Sequence, residues 1–372
     1  MLKSRLLPIA TCCLGVALLI SSSGWFGKSS DGDKAAEPES VAVDDARTED
    51  ASFFDDADPP PAVAPAAQQR LLVGDRFSYL KTVDQRITQR LPEQTATGGS
   101  RLTIGLSLEV EDVVDDDLSP AALPDRRPGD KRLKVHYHNV KFVQDIPGQE
   151  VNYDSDQPRG PVPPQAEAYR GLPGRGFSFW LDGRNQLQGL VGFQDFLDGC
   201  LQQAAPEQRT LVWKSLAGIS EADNLANFVD EGIGLLPLDT VATGTTWRRQ
   251  RTIQQPIPVT LQLQYTITDT TAAVVDVAVG GTVAPQAARD IGSAQLEILG
   301  GRISGRCSIN RHTGLPENCR IDQTVEMAVH LASGESITQT KQTITQLSVA
   351  PDDSMRPAAI PYAGREKDSR LR

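Results

Sequence analysis

Between residues 71 and 350 apolar side chains recur at every second position over long stretches, the period of a strand with one buried face. Leu102, Ile104, Leu106, Leu108 and Val110 all fall on one side, as do Val259, Leu261, Leu263, Tyr265 and Ile267, followed by Val275, Val277 and Val279. In GDRFSYLKTVDQRITQRL, Phe77, Tyr79, Val83 and Ile87 keep odd parity. In RLKVHYHNVKFV the apolar parity starts odd (Leu133, Val135, Tyr137) and ends even (Val140, Phe142), which predicts a β-bulge near Asn139. The stretch GGRISGRCSINRHTGLPENCRIDQTVEMAVHL predicts one long hairpin with arms Arg302–Asn310 and Asn318–Leu331 and a turn broken by Gly314 and Pro316. A shorter hairpin is expected in FSFWLDGRNQLQGL, with Asp182-Gly183 as its turn. Residues 146–176, rich in Pro and Gly, read as a long loop. The Thr-rich SITQTKQTITQLSV has mixed faces and is expected at a sheet edge.

The period changes over 192–232. Phe193, Phe196, Leu197, Cys200 and Leu201 fall at i, i+3, i+4, i+7 and i+8, an amphipathic helix. Pro206 is placed to start a second helix carrying Leu211, Trp213 and Leu216. Ser220 to Asp223 form a capping box for a third with Leu225, Phe228 and Val229, which Gly232 would end. The fold class that follows is mainly β: antiparallel sheets with a short helical insert. The stretches on either side, 69–191 and 233–350, echo one another in order, which is compatible with a duplicated β unit forming two sheets or one long curved sheet.

Composition changes this picture outside 69–350. Residues 31–58 hold eleven Asp or Glu against two basic residues, 2 − 11 = −9 of the chain's net −11, so the acidity belongs to one segment. With the prolines near Pro59–Pro61, residues 27–68 read as a disordered, self-repelling tether, and 351–372 as a disordered tail. Residues 1–26 combine a basic start with the apolar run Leu6–Ile20, the build of a signal peptide or, if uncleaved, a membrane anchor. A lipoprotein box at Cys12 is a weaker match, because Thr11 precedes the cysteine. Each version exports the body of the protein to the periplasm or cell envelope. No Lys/Arg cluster favours nucleic acid as a partner.

Export bears on the cysteines. Cys307 and Cys319 flank Thr313 almost symmetrically, which places them opposite one another across the hairpin; in an oxidising compartment they are expected to form a disulfide, the alternative being two reduced neighbours. Cys200, on the apolar helical stripe, is expected to be a buried free thiol.

Candidate chemistry is sparse. His136 and His138 share one strand face and can chelate a metal, but no third ligand is evident; by parity they lie on the polar face as a solvated pair. Glu109, Glu111, Asp112, Asp115, Asp116 and Asp117 lack the fixed spacing of a calcium loop. Tyr153, Asp154 and Asp156, in YDSD, are a weak candidate for a ligand site in the loop. No G-x-S-x-G, H-E-x-x-H or C-x-x-C occurs, no cofactor is implied, and no catalytic residue is assigned.

Taken in order, LLVGDRFSYLKTVDQRIT, the Leu102–Val110 strand, YDSD, GFSFWLDGRNQLQGL, LLPLDTVATGTTWRR and GRISGRCSINRHTGLPENCRIDQTVEM resemble an uncharacterised family of exported bacterial β-rich proteins, a domain of unknown function. The resemblance spans roughly 70–350; it implies an antiparallel β architecture and an envelope location, and it supplies no activity or site residues. The expectation is a non-catalytic binding or interaction module, with an apolar ligand or an envelope protein as partner and the membrane reached through the N-terminal segment. The alternatives are a structural or adaptor protein without a small ligand, or an enzyme of unrecognised type.

Overall fold

The computed structural model describes residues 71–91, 94–114, 127–158, 160–183, 185, 187–210, 212, 242–253, 259–291 and 294–350. The signal or anchor segment, the acidic tether, Asp115–Asp117, most of the second and all of the third expected helix, and the tail lie outside the described residues.

The alternating stretches form strands β1 (Arg76–Arg90), β2 (Thr95–Val113), β3 (Lys131–Ile146), β4 (Gln149–Asp154), β5 (Gly176–Leu181) and β6 (Leu187–Val191). After the helical segment come β7 (Thr246–Ile253), β8 (Val259–Thr270), β9 (Val274–Val283), β10 (Gln286–Ile291), β11 (Ala294–Asn310), β12 (Pro316–Leu331) and β13 (Ser336–Val349). All belong to one antiparallel sheet rather than two, ordered β6-β5-β3-β2-β1-β13-β12-β11-β9-β8-β7, with β4 beside β3 and β10 beside β11. The chain steps outward from β1 to the edge at β6, restarts at the opposite edge with β7, and returns inward until β13 pairs with β1.

Three expectations are corrected here. β13 is no edge strand: it lies at the centre, hydrogen-bonded to β1 on one side and β12 on the other. Residues 146–176 are not a loop throughout, because Pro147-Gly148 turns the chain into β4, and a short 3-10 turn (Pro164–Ala166) leads into helix α1 (Glu167–Arg170). The β5–β6 connection spans 182–186, since Leu181 pairs with Leu187; Asn185, at φ 60°, donates its amide to the Asp182 carbonyl. The bulge near Asn139 forms where expected: Asn139 pairs with Gly105 and Tyr137 with Leu106, leaving His138 as the extra residue.

The inner face of the sheet carries two apolar clusters. The N-terminal one takes Leu106, Leu108, Val135, Tyr137, Phe142, Phe177 and Phe179 from β2, β3 and β5, and is capped by helix α2 (Phe193–Gln203). Phe196 of α2 stacks on Tyr137 at 5.8 Å between ring centroids, and Phe193 meets Phe177 edge-on at 5.0 Å, favourable ring geometries. The helix seats closely because residue 171 is glycine: a Cβ there would lie 2.5 Å from the Cys200 Cα. Cys200 is indeed buried and free; its thiol donates to the Gly171 carbonyl, and burial pushes its pKa up to about 12. Pro206 begins a turn leading to helical residues 209, 210 and 212, and Val212 joins this cluster.

The C-terminal cluster comes from β8, β9, β11 and β12 and is dominated by Val, Ile and Leu, with Tyr265 and the Cys307–Cys319 pair among them. The tip of the β11–β12 hairpin reaches back over the N-terminal cluster: Leu315 packs into it, and Gly314 sits against the Asn185 side chain. β5 and β12 are five steps apart in the sheet, about 24 Å if it were flat. That contact requires the sheet to coil strongly at this end.

Candidate functional site

Where the two clusters meet, the inner face turns polar. On β1 the inward positions are the odd ones, and they include Lys81, Gln85 and Gln89 besides the apolar Tyr79 and Ile87. On β13 they are Ile337, Gln339, Lys341, Thr343, Thr345 and Leu347. Register sets these side chains in rows. Gln339 lies opposite Gln89 on β1 and Met327 on β12, and Lys341 lies opposite Ile87 and Val325. Thr343 lies opposite Gln85 and Gln323, and the same row continues through Ser100 on β2 to Gln144 on β3.

Gln85, Gln89, Gln144 and Gln339 of this seam are buried, while Lys81, Lys341, Thr343 and Thr345 are half-buried. Gln89 is 0 % and Gln339 1 % exposed, and neither amide group has a hydrogen-bond partner among the described residues, nor does Oε1 of Gln144. An unsatisfied buried polar group costs about 1–3 kcal/mol. The Lys341 ammonium has no counter-ion among the described residues, and desolvation alone pushes its pKa down to about 8. A desolvated cation beside open amide donors and acceptors is an arrangement suited to holding a polar or anionic group.

Of the residues singled out from sequence, Tyr153, Asp154, Asp156, His136, His138 and Glu111 lie elsewhere. Tyr153 is buried in the N-terminal cluster, on β4 opposite Phe142, where burial raises its pKa. Asp154 pairs with Lys141 at 3.1 Å and accepts the Asp156 amide, while Ser155 Oγ accepts the amide of Val140. YDSD thus ends a strand and pins it to β3. His136 and His138 are half-buried, with ring centroids 4.9 Å apart, and His138 Nε2 contacts Ser107 Oγ at 2.9 Å. Burial and neighbouring positive charge (Arg76 for both, with Lys134 beside His136) lower the pKa of each ring. Among the described residues no group of three His, Cys, Asp or Glu is placed to hold a metal ion. Glu111 takes an ion pair from Arg132 at 2.7 Å and a hydrogen bond from Ser178, which together hold its carboxyl below the usual range against the opposing effect of burial.

Cys307 and Cys319 lie directly opposite one another and are joined by a disulfide, a bond that suggests an oxidising, exported environment. No helix among the described residues is long and apolar enough to cross a membrane.

The seam was missed in the sequence because its polar residues share strands with buried apolar ones. The available signal was parity: Gln85, Gln89, Gln339 and Lys341 all fall on the odd, inward register of their strands.

Residues 128–316 match the model of a family described as a family of unknown function, DUF6263. No curated protein matches the chain. Among solved structures, a structure of lipovitellin titled for its lipid–protein interactions aligns with a TM-score of 0.37 at 10% identity, covering 74% of this chain and 25% of that one. The chain therefore spans about a quarter of the lipovitellin chain. A BenF-like porin from Pseudomonas fluorescens Pf-5 aligns with a TM-score of 0.14 at 7% identity, over 74% of this chain and 99% of the porin. At these scores neither likeness bears on what the protein does.

Proposed function

The chain belongs to that family of unknown function, DUF6263, and from this premise we propose that it is a non-catalytic binding module holding an apolar molecule against the inner face of its sheet. The observation that supports this reading is the setting of the seam. A short run of polar groups that have no partner among the described residues, the buried amides of Gln89 and Gln339 and the half-buried Lys341, is flanked by two aliphatic and aromatic surfaces. Small-molecule sites have this make-up, mostly apolar with few polar groups that orient the ligand. The oxidised cysteine pair suits work in an exported compartment, and we place the protein in the periplasm or cell envelope, tethered through its N-terminal segment.

Native mass spectrometry of the protein purified from its own envelope, followed by denaturing extraction, tests the reading. A co-purifying apolar molecule at near one-to-one supports it. Protein that is empty and takes up neither an added long-chain acid nor its neutral ester sinks it, and leaves a structural or adaptor role, to be pursued by crosslinking.

A further inference from the structure

We propose that Lys341, with the amides of Gln339 and Gln89, is the head-group site of this face and takes the carboxylate of a long-chain apolar acid. The proposal rests on the binding reading above and adds the charge of the ligand to it.

Over the stretches that form the seam, the three central strands carry no acidic residue on this face; Glu317, at the start of β12, is eight residues along that strand from Val325, the residue opposite Lys341, and acts on Tyr79 instead. The inward positions of β1 between residues 77 and 89 are Phe, Tyr, Lys, Val, Gln, Ile and Gln; those of β13 from 337 to 347 are Ile, Gln, Lys, Thr, Thr and Leu; those of β12 from 319 to 329 are Cys, Ile, Gln, Val, Met and Val. Lys341 is therefore a cation with no anion beside it on these stretches of the three strands. The next cation on it, Lys81, is six residues along β1 from the residue opposite Lys341, about 20 Å away at the rise of a strand. The site thus offers one positive charge. A carboxylate matches it, whereas a phosphate monoester, with about −1.5 to −2 charges near neutrality, would leave buried charge uncompensated.

The donors also match. An ammonium has three N–H donors and no acceptor, a carboxylate only acceptors, and the two amides supply N–H groups for its second oxygen. Their carbonyl oxygens can take the remaining donors of the ammonium. Ile87, Val325, Met327 and Ile337 lie around this group, and Val325 and Met327 belong to the C-terminal cluster, so a hydrocarbon running from the head group in that direction would lie on apolar surface.

The test is titration of the full chain with palmitate and with methyl palmitate, its uncharged ester, followed by native mass spectrometry for wild type, Lys341→Met and Lys341→Arg. Wild type is expected to prefer the acid at least tenfold. Lys341→Met is expected to bring the two within about twofold while still binding the ester, and Lys341→Arg to keep most of the preference. Equal binding of acid and ester by wild type, or a preference that survives in Lys341→Met, overturns the head-group assignment and leaves the apolar-ligand reading standing. Binding of neither overturns both. If Lys341→Met fails to fold, the wild-type ratio and its loss in Gln339→Leu decide the matter.

Discussion

In the arm that runs from β1 to β6 the inner face is filled with rings and capped by α2; in the arm from β7 to β12 it is filled with Val, Ile and Leu and cross-linked by a disulfide. Large side chains let the first arm close over itself locally: Tyr137, Phe177, Phe193 and Phe196 span the gap between sheet and helix. The second arm draws its buried surface, among the described residues, from strands alone, and its β-branched side chains suit a pleated surface that packs on itself. A stacked ring pair there, Trp247 on Tyr265 at 5.3 Å, joins the last two strands of the sheet order, β7 and β8. Between the arms lies the seam, where neither solution operates and polar groups are buried in their place. The difference teaches that a sheet of this width need not be uniform in its core: two arms filled in different ways can leave a chemically distinct strip where they join.

The largest expected effect breaks the first arm. Phe196→Ala removes a ring that touches both sheet and helix, and should cost about 3–5 kcal/mol in denaturant unfolding. Val277→Ala, in the second arm, should cost about 2 kcal/mol; equal losses at the two sites would show that the arms do not differ in how they are held.

The next effect sharpens the comparison. Replacing both Cys307 and Cys319 by Ser opens the closed hairpin loop and should lower stability by about 2–3 kcal/mol. A reducing agent should destabilise wild type similarly and leave the double variant unchanged.

At the seam the sign reverses. Lys341→Met should raise stability near pH 7, by about 1–3 kcal/mol, because it removes a desolvated charge with no partner among the described residues. Lys341 has a folded pKa of about 8, below its unfolded 10.5, so the folded state binds the proton less well and the penalty is full below about pH 8. Wild-type stability should therefore gain on that of the variant as pH rises from about 8 to 10.5; a gap that stays constant would show that the ammonium has a partner. The smallest effect concerns His136 and His138. Their folded pKa values lie below 6.5, so the unfolded state binds protons more readily and stability is lost as pH falls below 6.5. His138→Gln should flatten that acid limb in a comparison of unfolding midpoints.

Much of the fold was legible in the chain. The odd parity of Phe77 to Ile87, the even parity of Leu102 to Val110, the bulge at Asn139 and the facing of Cys307 and Cys319 are consequences of a two-residue period and of turn placement, both local. The 3.6-residue stripe of α2 was legible for the same reason. The YDSD segment was misread because Pro and Gly punctuate it, yet Pro147-Gly148 makes only a tight turn between two paired strands. β13 was misread because a strand rich in Thr and Gln has the composition of an edge, and nothing local tells an edge from a central strand over a polar site.

The sequence by itself determined the elements, their buried faces, the cross-strand cysteine pair and the antiparallel β class, since these rest on periodicities shorter than the elements themselves. Only the tertiary structure decided that all strands join one sheet, that its first and last strands pair at the centre, and that the buried Gln89 and Gln339 and the half-buried Lys341 thereby share one strip. The physical reason is that β1 and β13 stand some 250 residues apart in the chain, and their pairing depends on backbone hydrogen bonds that every residue type except proline can make on both sides.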